Sequence, residues 1–221
     1  MMRKIARIFG VVPQTSSKNI AALRAWAELG HAWAQYSLGR AYWKGEEIDE
    51  DKREAEHWYR LAAEQGHTKA QLFLGVAYDN GEGVTMDKRE AARWWRMAAE
   101  QGVAEAQTKL GDTYYFGERS DSGKRSAGDK REGVRWYRKA AAQGHMQAQT
   151  HLGFAYCYGI GVIMDKSEAY IWWSIAKVNG NRRAAKFLHE NNWRKHLSKN
   201  EICSAQKEAA ARLEEIENRK E

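Results

Sequence analysis

Apolar and polar positions along this chain repeat at a period longer than any single helix or strand. Gly30, Gly66, Gly102, Gly144 and Gly180 open corresponding segments, spaced 36, 36, 42 and 36 residues apart. From each opening glycine the chain reads Ala-Gln, then Leu-Gly, Tyr, Gly, Asp-Lys, Glu, Trp and Ala at matching offsets. The second copy shows it best, with Gly66, Ala70-Gln71, Leu74-Gly75, Tyr78, Gly81, Asp87-Lys88, Glu90, Trp94 and Ala98. Self-similarity at such a period is the signature of stacked supersecondary units. Only the third copy is longer, by six residues.

Each copy parses into two helices. Helix A of the first copy is expected over Ala32 to Lys44, ending at Gly45; Gly81, Gly117 and Gly159 stand at the same place in the others. A glycine there permits a left-handed C-terminal cap. Helix B opens with Asp and carries Glu three residues later, as Asp51/Glu54, Asp87/Glu90, Asp129/Glu132 and Asp165/Glu168. That spacing is a capping box in which Asp accepts from a free backbone N–H and Glu reaches back. Both charges suit the positive end of the helix dipole.

Gly39, Gly75, Gly111 and Gly153 fall in the middle of helix A, where Gly costs up to about 1 kcal/mol relative to Ala. Four copies accept that cost, which points to a close crossing of helix B with no room for a Cβ. Tyr42, Tyr78, Tyr114 and Tyr156, with Trp58, Trp94, Trp136 and Trp172, are then the expected large core pieces.

The pattern Ala-x-Ala-Gln-x-x-Leu-Gly…Tyr…Gly-x-Gly-Val…Asp…Glu-Ala…Trp…Ala-Ala-x-Gln-Gly resembles the Sel-1-like repeat, a relative of the tetratricopeptide repeat, over residues 20–180. The third copy departs from it, with Gly133 in place of Ala, no Val after Gly117, and residues 119–128 inserted. The resemblance implies an all-α, right-handed α-solenoid of stacked helix–turn–helix repeats, acting as a scaffold or adaptor in protein complexes. The expected layout is a basic tail (1–16), an N-terminal capping half-repeat (17–29), repeats over 30–65, 66–101, 102–143 and 144–179, and C-terminal capping helices (180–221). Residues 182–193 read as a degenerate fifth helix A. Ser198-x-x-Glu201 opens a polar helix to about Arg219, with Ile202, Ala205, Ala209, Leu213 and Ile216 on one side. Terminal helices with a polar outer face are what a solenoid needs to stay in solution.

Composition narrows the function classes. Hydrophobic residues make up 43% and charged residues 29%, and Pro13 is the only proline. This excludes a disordered chain, and no apolar run approaches the roughly 20 residues of a membrane-spanning helix. The net charge of +7 sits at the ends: residues 1–24 hold five basic and no acidic residues, residues 181–221 have a net +3, and residues 25–180 a net −1. A phosphate-binding groove needs cations clustered on one surface, so nucleic acid is not the expected partner. Cys157 and Cys203 form no CxxC pair, which argues against zinc or a disulfide framework. The stretch Ile5–Val12 behind Arg3 and Lys4 is interrupted by Arg7 and lacks a cleavage site, so a cytoplasmic protein is expected.

Counted from the opening glycine as position 0 and stepped 100° per residue, the repeated residues of helix A (4, 5, 8, 9, 11, 12) share one side. The residues that differ between copies (3, 6, 7, 10, 13, 14) share the other, which the resemblance places on the concave groove. The candidate groove residues are Trp33 and Arg40 from the first copy, and Lys69, Phe73 and Val76 from the second. The third contributes Glu105, Lys109 and Asp112, and the fourth His151, Phe154 and Tyr158. Trp43, Tyr115 and Phe116 add aromatics to the same face, and aromatics among mixed charges are the composition of a protein-binding hot spot. The partner expected is a protein or peptide, with no cofactor or metal and no catalysis.

Some members of the resembled family are labelled β-lactamases, which makes a hydrolase the alternative. Ser174-Ile175-Ala176-Lys177 matches Ser-x-x-Lys, but neither Lys-Thr-Gly nor Ser-Asp-Asn accompanies it. His189-Glu190 begins like a zinc motif, but Trp193 takes the place of the second histidine, and His189 with His196 is a weak metal pair. The insertion 119–128 reads as an exposed polar loop that could make a basic contact through Lys124 and Arg125. A weaker alternative is nucleic-acid contact through the basic N-terminus.

Overall fold

The computed structural model describes residues 20–116, 127–190 and 195–219, with the backbone alone at 127–129. Among them no strand forms, and eleven α-helices follow in order. These are α1 (Ile20–Glu28), α2 (Ala32–Lys44), α3 (Lys52–Glu64), α4 (Thr68–Asn80), α5 (Lys88–Glu100), α6 (Ala104–Phe116), α7 (Ala127–Ala141), α8 (Met146–Tyr158), α9 (Lys166–Val178), α10 (Arg182–Glu190) and α11 (Lys199–Asn218). The even-numbered helices α2 to α10 are the A helices. The chain divides into two compact units between Met97 and Ala98, inside α5. The fold is an all-α solenoid of helical pairs.

The Asp-Lys pair explains how each A–B loop is held. Asp51 accepts from the backbone N–H of Arg53 and Glu54, Asp87 from Arg89 and Glu90, and Asp165 from Ser167 and Glu168. Each therefore satisfies orphan donors of the first helical turn. The lysine beside it turns the other way. Lys52 donates to the carbonyl of Trp43 (2.7 Å), Lys88 to that of Asp79 (2.8 Å) and Lys166 to that of Cys157 (2.9 Å). One dipeptide thus caps the C-terminus of helix A and the N-terminus of helix B. Gly45, Gly81 and Gly159 adopt the expected left-handed conformation, with φ of 66, 73 and 64°.

Two expectations about these caps need correction. The complete reciprocal box forms at Ser198/Glu201, whereas Glu90 turns to Arg93 and Glu168 to Trp172 and Arg212. In the third copy α7 begins at Ala127, so Asp129 lies within the helix instead of capping it, and the last two residues of the insertion are helical. Gly117 and the remainder of the insertion lie outside the described residues.

The mid-helix glycines are close crossings, as expected, but the aromatic partner is not the repeated tryptophan. A Cβ on Gly39 would stand 2.8 Å from Tyr59, on Gly75 2.4 Å from Trp95, on Gly111 2.6 Å from Tyr137 and on Gly153 2.4 Å from Trp173. These are the residues immediately after Trp58, Trp94, Trp136 and Trp172. Tyr59, Tyr137 and Trp173 are fully buried, while Trp58, Trp172 and the repeated tyrosines are half-buried. Helix B has two adjacent aromatics; the glycine selects the second because that one projects onto helix A. The repeated tyrosines serve as hydrogen-bond acceptors instead: Arg24 donates to Tyr42 (2.6 Å), Arg60 to Tyr78 (2.5 Å) and Arg138 to Tyr156 (2.9 Å).

A second repeated device lies in the turn from helix B to the next helix A. Gln35, Gln71, Gln107 and Gln149 are buried, and each donates to a carbonyl in the last turn of the preceding helix B. The acceptors are Ala27, Ala63, Ala99 and Ala141, at 3.1, 3.0, 3.1 and 3.2 Å. Each of those carbonyls also accepts from the backbone N–H of the next opening glycine, Gly30, Gly66, Gly102 or Gly144, so the glutamine supplies its second partner. The glutamine oxygens accept in turn, Gln35 from Gln65 (2.7 Å), Gln107 from Gln143 (2.8 Å) and Gln149 from Asn179 (3.0 Å).

At the C-terminal end α11 covers the outer side of α9. Ala205, Ala209 and Ile216 are buried against Ile171 and Ile175, and Arg212 forms a bidentate pair with Glu168 at 2.8 and 2.7 Å.

Candidate functional site

The face of unlike side chains divides into two sets. Position 6 is not surface: Leu72, Thr108 and Thr150 are buried and Tyr36 is half-buried. In the first and third copies its side chain meets the start of the next helix A. Tyr36 stacks on His67 with centroids 4.6 Å apart, and Thr108 Oγ1 lies 2.8 Å from His145 Nδ1. Position 13 behaves similarly, with Tyr115 and Cys157 buried. Positions 3, 7, 10 and 14 remain as the accessible line, exposed at 3 and 14 and half-buried at most of 7 and 10. A helix flanked by two neighbours has a narrower free arc than an isolated one, which is why the 100° projection overcounted.

In the first unit, Trp33 (39% exposed) lies 6.5 Å from Trp26, and Lys69 is exposed. Arg40 and Lys44 both reach Glu46, at 3.7 and 3.3 Å. Phe73 is half-buried, stacked on Tyr59 at 5.6 Å, and Val76 is half-buried nearby in the sequence of the same helix. Phe73 therefore supports the core as well as the face.

In the second unit, Glu105 is exposed, and Lys109 and Asp112 are half-buried. Asp112 accepts from the Tyr137 hydroxyl at 2.6 Å and stands 2.9 Å from His151 Nδ1. His151, expected to line an open groove, is buried, with Phe116 and Tyr137 packed edge-on at 5.5 and 5.1 Å. It is the floor of the face, not an accessible contact. Burial, and then the neighbouring Asp112 carboxylate, push the Tyr137 phenol above its usual range. Burial lowers His145, with Glu105 and Asp112 opposing; burial and Lys69 lower His67.

Phe154 is half-buried among Phe187 (4.5 Å), Trp173 (5.2 Å) and Tyr158 (6.4 Å), and Tyr158 is 60% exposed. Phe187 and Arg183 were missed from sequence. Counted from Gly180 they stand at positions 7 and 3, so the signal was present but the count stopped at the fourth copy.

Ser174 is half-buried in α9 and shares a cleft of about 620 Å³ with Lys177, Tyr170 and His189. Among the described residues no hydrogen bond joins Ser174 to Lys177 or His189. Trp193 lies outside the described residues. Among those described, no group of three or more His, Cys, Asp or Glu is placed to hold a metal, and no helix is long and apolar enough to cross a membrane.

With the repeated pairs and their seams in place, the chain can be set against known proteins. The Sel1 repeat model matches residues 34–67, 68–103, 104–145 and 147–181. The chain belongs to the Sel1 repeat family. Among solved structures, this Sel1 repeat chain is similar to c5321, a protective antigen present in uropathogenic Escherichia coli strains displaying an SLR fold. They are 40% identical with a TM-score of 0.73, over 80% of this chain and 37% of that one. It is also similar to a Sel1 repeat protein from Oxalobacter formigenes, at 33% identity and a TM-score of 0.68, over 81% of this chain and 50% of that one. The chain thus spans half or less of the length of these relatives. The comparison with curated proteins gives no match. Sel1 repeat proteins are generally protein-interaction scaffolds.

Proposed function

We propose that this Sel1 repeat chain is a non-catalytic scaffold that binds a peptide or helix of a partner protein through the accessible positions of the A helices within each of its units. The observation that supports it is the segregation within each A helix. Residues common to the copies are consumed by packing, while positions 3, 7, 10 and 14 vary and keep Trp33, Lys69, Phe116 and Tyr158 at the surface. Large aromatics left exposed beside charges contribute disproportionately to association.

The test follows from which side chains can be removed without harming the core. Phe73 and Phe154 each pack on a buried ring, so their truncation would confound binding with stability. Trp33→Ala combined with Tyr158→Ala removes exposed surface instead. With a partner recovered by affinity purification and then purified, the double variant should bind at least about tenfold more weakly, the loss of one to two hot-spot contacts. Its circular dichroism and melting should match the parent. Unchanged affinity would refute the proposal.

A further inference from the structure

Between the first turns of α8 and α10, within the second unit, the surface opens into a cavity of about 530 Å³. His145, Gln147, Thr150, His151, Asn181 and Arg183 line it, and no acidic side chain does. Glu105 and Asp112 of α6 lie near His145 outside the lining; Asp112 accepts from the Tyr137 hydroxyl and stands 2.9 Å from His151 Nδ1. Arg183 makes no ion pair among the described residues. Its guanidinium instead lies over the rings of Phe154 and Phe187, 5.4 and 5.8 Å from their centroids.

A guanidinium held against two rings that meet nearly at right angles has less freedom to lose when it takes up a carboxylate in its planar fork. The rings also exclude water from one side, which strengthens the attraction. On the neighbouring surface Phe154 and Tyr158 stack at 6.4 Å and offer an apolar platform. We propose that the cavity receives an aspartate or glutamate side chain from a segment of a partner protein. Arg183 forms the ion pair, and an apolar residue of the same segment rests on Phe154 and Tyr158. The cavity is then the polar anchor and the platform the apolar one. This inference rests on the scaffold reading.

The experiment selects phage-displayed random peptides of about a dozen residues on the full chain and, in parallel, on Arg183→Gln. The parent should enrich Asp or Glu beside an apolar residue, and Arg183→Gln should lose the acidic preference while keeping the apolar one. The best acidic peptide should weaken about tenfold on Arg183→Gln, and equally on changing its own acid to the amide. Made together, the two changes should cost little more than either alone. Circular dichroism of Arg183→Gln should equal the parent, since the residue is exposed. Peptides without acidic preference, an acidic preference that survives Arg183→Gln, or binding that needs only a free C-terminal carboxylate would each overturn the assignment and leave the scaffold reading intact. Failure to select any peptide would overturn both.

Discussion

Adding one methyl group at Gly153 tests the packing logic of the repeat. Its Cβ would stand 2.4 Å from Trp173 Nε1 and 2.5 Å from Cδ1, against an optimal carbon contact of about 3.5–4.0 Å. Trp173 is fully buried and its indole donates to the Thr150 carbonyl at 3.0 Å, so the ring cannot retreat without losing that bond. Overpacking costs about 1–3 kcal/mol and the lost hydrogen bond about 1 kcal/mol. Replacing a mid-helix Gly by Ala returns about 1 kcal/mol of helix propensity. The net expectation for Gly153→Ala is a loss of about 1–3 kcal/mol. Urea unfolding followed by circular dichroism reads it as a lower midpoint at constant slope. Gly39→Ala should lose less, because its Cβ would approach Tyr59 only to 2.8 Å. Trp173→Phe should reduce the penalty of Gly153→Ala in a double-mutant cycle. If Gly153→Ala instead raises the midpoint, the glycine serves no close approach and the reasoning fails.

Gln149→Ala should cost about 1–2 kcal/mol, since it removes the buried bonds to the Ala141 carbonyl and from Asn179 while Ala141 keeps the Gly144 N–H; chemical denaturation checks it, with the exposed Gln147→Ala as a neutral control. His145 and His67 are held below their usual pKa, chiefly by burial. Both therefore bind fewer protons folded than unfolded, and stability should fall as pH drops through the ordinary histidine range, about 6.5 and below. The melting temperature followed from pH 8 to pH 5 should show this decline, and the decline should shrink in a His145→Gln, His67→Gln double variant.

Most of the fold could be read from the sequence because each repeated residue has one physical task performed several times. Asp51, Asp87 and Asp165 announce helix starts, and Gly39 and its equivalents announce the crossing. What the sequence hid was direction. Nothing in the pair Trp94-Trp95 says which ring meets Gly75, since both are apolar and one residue apart, and only the helix phase separates them. The repeated glutamines were visible as a pattern, but their carbonyl acceptors lie eight residues upstream in the preceding helix. The candidate face was legible as a set of unlike residues; its division into seam and surface was not. That division depends on neighbouring helices, which bury His151 and Thr150 yet leave Tyr158 open.

The outer side of α9 differs from that of the helices before it in one repeated place. Three residues after the first-turn glutamate stand His57, Arg93 and Arg135 in the earlier copies, but Ile171 in the last. The glutamate freed there, Glu168, is taken by Arg212 of α11. On α9 a charged rim thus becomes an apolar seat, and α11 occupies it. A repeat spliced in directly after α9 would compete with α11 for the same surface, whereas one inserted ahead of residue 144 would leave that contact in place.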